Sequence, residues 1–164
     1  MLPAPVPLNE PARRRTLDAL RVLDSLPETF SNAVAASAAG IAGTPISAVT
    51  LVDADRLWFK GSCGLGSTDA PRDIGFCAHT ILGASPLVVP DMRADVRFHD
   101  NPLVTGPPHV RFYAGFPIVV DGHSVGAVCV IDDRPRTLEA AQIERLTRLA
   151  AGTAAWMQAR LVKD

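Results

Sequence analysis

The clearest pattern in the chain is a period of two. Val110, Phe112, Ala114, Phe116, Ile118 and Val120 alternate with Arg111, Tyr113 and Gly115, as in a strand that turns one face to a core. Asp121-Gly122 follows, a pair suited to a type I′ hairpin turn, and 124–131 reads as the returning strand. Upstream, 46–52 is β-branched and apolar, a buried strand. Asp53-Ala54-Asp55 turns it into a second strand at Leu57-Trp58-Phe59, and 61–72 is a loop with three glycines and a proline.

Helical spacing frames these hairpins. Asn9 stands as an N-cap before Glu10 and Pro11, and Leu17, Leu20 and Leu23 share one face of a helix over 10–24. Ser25 and Glu28 have capping-box spacing and open an alanine-rich helix over 26–41, able to lie close on a sheet and ended by Gly43 and Pro45. Near the other end, Thr137 can cap a long helix over 137–162, with Glu139 complementing its dipole. Its Ile143, Leu146, Ala150, Thr153, Met157 and Leu161 form a seam facing the core or a dimer partner. Between the hairpins, 76–82 reads as a short helix, 86–89 as a brief strand and 91–103 as a short helix or winding loop. Residues 1–9 are a proline-rich lead-in, and 10–164 form one domain.

Two hairpins imply an antiparallel sheet, and the fold class is α+β. The helices should cover one face. The loop-rich middle, from Phe76 to Ile131, is left to close a small-ligand pocket on the other.

Composition narrows the function. At 164 residues, about half of them apolar, the chain can bury a full core. A net charge of −1 argues against a nucleic-acid surface. The one basic run, Arg13-Arg14-Arg15, reads as the solvated face of a helix. No stretch is apolar for the length of a bilayer, and no signal-peptide pattern opens the chain, so the expected location is the cytoplasm. Three cysteines then read as free thiols.

Thr50-Leu51-Val52-Asp53, Trp58-Phe59-Lys60, Phe76-Cys77-Ala78-His79, Val88-Val89-Pro90-Asp91, Arg97-Phe98 and Asp100-Asn101-Pro102-Leu103-Val104 stand in order along the chain. Arg111-Phe112-Tyr113-Ala114-Gly115, Gly126, Cys129-Val130-Ile131-Asp132 and Pro135-Arg136 follow. In these pieces the chain resembles the GAF domain family, in the bacterial subgroup attached to diguanylate cyclases and histidine kinases. The resemblance covers about residues 10–155. It implies a PAS-like central antiparallel sheet of five to six strands, with N- and C-terminal helices packed on one face and often joined to a partner in a homodimer. It also implies a pocket closed by loops and short helices on the other face, which in different members takes cyclic nucleotides, tetrapyrroles or other small molecules. Phe116 stands where a smaller residue is expected and would fill part of the pocket or core. No glycine-rich nucleotide loop or kinase-type motif is present, so the terminal helices are expected to signal to a separate effector protein.

The candidate pocket residues are Lys60, Phe76, Cys77, His79, Asp91, Arg97, Phe98, Arg111, Tyr113 and Cys129. Tyr113 and Lys60 are the polar contacts favoured for a ligand. Arg97 and Arg111, with Asp91 and Asp100, form either an anion-facing wall or internal ion pairs that hold the loop. Cys77 and His79 are two apart and do not share a helix face, so no nucleophile–base pair is read there and no catalytic residue is assigned. Cys63, Cys77 and Cys129 keep open a thiol oxidoreductase of the free methionine sulfoxide reductase type, although in that family the cysteines sit in a narrower segment. A structural dimerisation module is the third reading. No His-x-x-x-His or Cys-x-x-Cys spacing supports a metal, and Ala78 separates Cys77 from His79, against covalent bilin attachment. No cofactor is assigned and the ligand is left unnamed.

Overall fold

In a computed structural model, residues 2–25 and 29–163 are described, with side chains through Ala159. Helices α1 (Glu10–Leu20) and α2 (Thr29–Ala42) lead into strands β1 (Ile46–Val52), β2 (Arg56–Cys63) and β3 (Asp69–Pro71). The middle of the chain holds α3 (Cys77–Thr80), β4 (Leu87–Val89) and α4 (Pro102–Thr105), with 3₁₀ turns at Arg72–Ile74 and Met92–Ala94. Strands β5 (Phe112–Val120) and β6 (His123–Asp132) follow, then α5 (Ala140–Lys163). The strands form one six-stranded sheet in the order β3-β2-β1-β6-β5-β4. Every pairing is antiparallel. The α+β class and the sheet expected from the hairpins are both present.

The β5–β6 hairpin turns at Asp121 and Gly122, with φ of 53° and 78°. A type I′ turn needs two positive φ values, and this pair supplies them with little strain. Strand parity then divides the molecule. Phe112, Ala114, Phe116, Ile118 and Val120 pack with Val49, Leu51, Val128 and Val130 beneath α1, α2 and α5. Phe116 is therefore core on the helix face. Tyr113, Ala48, Ala127 and Cys129 point to the other face, among Leu57, Phe76, Phe98 and Val110.

Alanines and a glycine bring α2 close to the sheet. Ala35 and Ala38 are fully buried, and the Ser47 hydroxyl donates to the Ala35 carbonyl at 2.5 Å. A Cβ at Gly61 would run into the backbone of Ser31. On α5, Leu146, Ala150, Thr153 and Met157 are buried within the chain. That part of the seam faces the core, and the Leu161 side chain lies outside the described residues.

Several boundaries differ from the periodicity. α1 ends at Leu20, because Arg21 takes a left-handed conformation (φ 54°) and turns Val22 into the core. Of the expected capping box, Glu28 lies outside the described residues. Ser25 instead donates to the Val22 carbonyl at 2.5 Å. α5 starts at Ala140, past Thr137. The Glu139 N–H donates to Gln142 Oε1 at 2.8 Å, so a side chain within the first turn serves that terminus. The loop read over 61–72 holds the end of β2 and all of β3.

The basic run is not uniformly solvated. Arg13 is fully buried, and its guanidinium donates twice to Glu10, at 2.8 Å each. Arg72 Nη1 donates to the same carboxylate at 2.6 Å and to the Asp53 carbonyl at 2.8 Å. One carboxylate thus ties α1 to the turn that precedes Phe76. Burial raises the Glu10 pKa, but the hydrogen bonds and charges of Arg13 and Arg72 outweigh it and bring it down to about 2.

Candidate functional site

The face of the sheet away from the long helices floors a cavity of about 260 Å³. Parity along adjacent strands puts Ile46, Ala48 and Thr50 of β1, Leu57 and Phe59 of β2, Tyr113 of β5 and Cys129 and Ile131 of β6 on that floor. Ala48 pairs directly with Cys129, and Tyr113 with Ile131. The walls come from the middle of the chain. Leu65, Ser67 and Ala70 close it beside β2, Gly75, Phe76 and Cys77 at the start of α3, and Leu103, Pro108 and Val110 beside α4. Among these residues none carries a formal charge.

Hydroxyls and thiols gather at the end formed by α3, β1 and β6. The Tyr113 hydroxyl donates to Cys77 Sγ at 3.1 Å and lies 2.7 Å from Thr80 Oγ1. Thr50 Oγ1 lies 3.7 Å from Cys129 Sγ. Gly115 makes this possible. A Cβ there would occupy the space of the Tyr113 hydroxyl and Thr80 Oγ1, so the missing side chain lets the tyrosine lie along its own strand and reach α3.

The two thiols titrate as a pair. Hydrogen bonding from Cys129, with help from Tyr113 and Thr50, pulls the Cys77 thiol down against its burial. The Cys77 hydrogen bond and burial push Cys129 well up. The pair therefore gives up its first proton more readily than its second. Burial, then the neighbouring sulfurs, pushes the Tyr113 phenol up as well. All three cysteines are free.

A sequence model of the GAF domain matches residues 26–155. This chain belongs to the GAF domain family. A cyclic di-GMP phosphodiesterase of Pseudomonas aeruginosa is 37% identical over 154 residues, which are 91% of this chain and 26% of that protein. The GAF domain described here thus spans about a quarter of that relative's length. Solved structures repeat the fold at low identity. A domain of a putative two-component sensor histidine kinase from Sinorhizobium meliloti superposes with a TM-score of 0.64 at 16% identity, covering 85% of this chain and 96% of that one. Free methionine-R-sulfoxide reductase from Neisseria meningitidis, in complex with its substrate, gives 0.61 at 18% identity, covering 90% and 86%.

The GAF cavity brings together four of the ten residues singled out from the sequence, Phe76, Cys77, Tyr113 and Cys129. The other six lie elsewhere. Lys60 shares the face of Trp58, under the helices. Its Nζ donates to Ser25 Oγ at 2.5 Å and sits 5.9 Å from the Trp58 ring centroid. Phe98 is buried behind Phe76, edge-on at 5.6 Å. His79 packs on the outer side of Phe98 at 4.7 Å. Burial, then the Arg97 charge, lowers the pKa of that imidazole, with Asp95 opposing. Asp91 pairs with Arg93 and Arg97 with Asp95, both bidentate. Arg111 donates to the Val104 carbonyl at 2.8 Å. The charged cluster therefore holds the 91–111 segment together rather than lining the cavity. Sequence reasoning missed Leu65, Ser67 and Pro108, which come from irregular segments, and Ala70, which comes from a strand too short to show a period.

Proposed function

We propose that this chain is a small-molecule-binding sensory and regulatory GAF domain of bacterial signal transduction, with no catalytic output of its own. The observation that carries the reading is the cavity, whose wall residues Ala70 and Gly75 flank the Arg72–Ile74 turn that Arg72 hydrogen-bonds to Glu10 of the N-terminal helix. A ligand that favours one position of that wall would bias the helix, and the helices would pass the bias to a partner chain or an attached effector. The kinase and phosphodiesterase relatives fit a role in signalling. A homodimer through the outer faces of α2 and α5 belongs to the same proposal. Phe30 is 40% exposed there and stacks on Trp156 at 4.6 Å. Sedimentation tests the dimer.

A thermal-shift screen with nucleotides and small metabolites tests the sensing. At least one compound is expected to raise the melting temperature of the wild type. It should leave Ala70→Trp, which fills the cavity mouth, unmoved. No shift with any compound would sink the sensory reading.

A thiol oxidoreductase is the second reading, favoured by the Cys77–Cys129 contact in the cavity. In that chemistry a cysteine takes the sulfoxide oxygen as a sulfenic acid, and the second thiol expels it as water while the disulfide forms. The lining argues against free methionine sulfoxide, whose ammonium and carboxylate would find no counter-charge there. Turnover of methionine-R-sulfoxide with a dithiol reductant, lost in Cys77→Ser, would reverse the ranking.

A further inference from the structure

The chemistry of the lining says what kind of molecule the cavity can hold. None of the described residues around it is an Asp, Glu, Lys, Arg or His, and arginines of the flanking segments are engaged elsewhere. Arg97 is held by Asp95, Arg111 by the Val104 carbonyl and Arg72 by Glu10. Moving a phosphate or carboxylate into such a site without a partner costs several kcal/mol. Size adds a second limit. Pockets for drug-sized ligands measure roughly 300–1,000 Å³, and an apolar cavity of roughly 150 Å³ takes up benzene. About 260 Å³ suits a molecule of one or two rings.

The polar end supplies direction. Tyr113 spends its one proton on the Cys77 sulfur, and Thr50 Oγ1 meets the Cys129 sulfur at 3.7 Å. Thiol sulfur is a weak acceptor. An oxygen entering from the cavity would accept more strongly from either hydroxyl, while Thr80 Oγ1 continues to support the Tyr113 oxygen. Exchanging a sulfur acceptor for an oxygen is a gain available only to an occupied cavity.

We infer that the cavity takes a neutral, largely apolar molecule of one or two rings, whose single carbonyl or ether oxygen accepts a hydrogen bond from Tyr113 or Thr50. Charged nucleotides and amino acids are thereby rejected. This rests on the sensory reading and names its ligand class.

Three probes built on one indane skeleton test it. They are 1-indanone (neutral, with a carbonyl), indane (no oxygen) and indane-1-carboxylate (anionic). Each is titrated by NMR against the protein carrying labelled Leu, Val and Ile methyls. The expected result is saturable shifts at Leu57, Leu103, Val110 and Ile131 with 1-indanone. Indane should bind about two- to tenfold more weakly, the span of one net hydrogen bond, and the carboxylate at least about tenfold more weakly. Tyr113→Phe or Thr50→Val should bring 1-indanone down to the affinity of indane and leave indane unchanged. Ala70→Trp should abolish all three. Equal binding of indane and indanone would overturn the oxygen anchor. Tightest binding by the carboxylate would overturn the ligand class while leaving a sensor cavity in place. No binding by any of the three would overturn the inference, and the broader thermal-shift screen decides the sensory reading separately.

Discussion

Gly115 holds the polar end of the cavity in shape by having no side chain. Alanine there would push against the Tyr113 hydroxyl and Thr80 Oγ1, which already pack at hydrogen-bonding distance. Gly115→Ala is expected to cost about 1–3 kcal/mol, the usual penalty of overpacking, read as a lower denaturation midpoint. It should also weaken any cavity ligand, since Tyr113 must swing away. The cysteines offer a check on burial. Cys63 is half-buried while Cys77 and Cys129 are buried, so a thiol reagent should label Cys63 first. The other two should react only at the rate at which the domain opens. Labelling of Cys77 as fast as Cys63 would show that the cavity is open to reagents. At this scale parity was the legible signal inside the strands, but Val110, grouped with Phe112 by alternation, lies on the cavity face because β5 starts only at Phe112. Cys129 lies two residues from Ala127 and from Ile131 on one face. Lys60 was misplaced although parity carried the signal. It is two residues from Trp58, and an alternating strand puts both on the helix side. Internal ion pairs were one alternative for Asp91 and Arg97, but their partners, Arg93 and Asp95, were not named. Partner choice there depends on a loop path that no spacing encodes.

At the scale of elements, α1 is fastened by a single carboxylate to the turn that runs into the cavity wall. Glu10 receives hydrogen bonds from Arg13 on its own helix and from Arg72 across the molecule. Its folded pKa is about 2, against an ordinary 4.5. A depressed acid stabilises the fold above its unfolded pKa, so this contribution is complete above about pH 4.5 and is lost as the pH falls toward 2. Glu10→Gln is expected to cost about 2 kcal/mol at pH 7, because Arg13 stays buried without its counter-charge. The difference from wild type should shrink steadily below pH 4.5. Urea midpoints across pH 2.5–7 measure both effects, and a pH-independent difference would exclude this ion pair as the cause. The helices were readable as amphipathic stripes, but their ends were not. α1 stops where Val22 must enter the core, and α5 starts where Gln142 can reach the Glu139 N–H. Both are set by tertiary geometry. β3 is three residues long, too short to show alternation, and it exists because β2 offers it an edge.

At the scale of the whole molecule, one sheet separates two interiors with opposite tasks. Between the sheet and α1, α2 and α5 the side chains fill the space. On the other face Ala48, Thr50 and Cys129 are small, and the segments that bridge over them leave the cavity. The pattern of large residues on one parity and small or polar residues on the other was visible in β1, β5 and β6. The volume left over was not, because it depends on how far the 65–77 and 103–110 segments stand off the sheet. Stability and cavity binding should therefore separate by face. Val128→Ala removes two methyl groups from the helix-side core, where that residue is fully buried, and is expected to cost about 1–3 kcal/mol. It should leave the affinity for 1-indanone within about twofold, since Val128 points away from the cavity. Ala70→Trp should do the reverse. Ala70 is half-buried at the cavity edge, so its midpoint should stay near that of the wild type while binding disappears. Midpoints and NMR titrations of the two variants form a two-by-two comparison. If both variants moved both quantities together, the two faces would be one cooperative core, and a ligand would act on the helices through the sheet itself. If each moves only its own quantity, the sheet is a rigid partition. A cavity ligand must then reach the helices around its edge, and the Glu10–Arg72 tie is the contact the structure provides there.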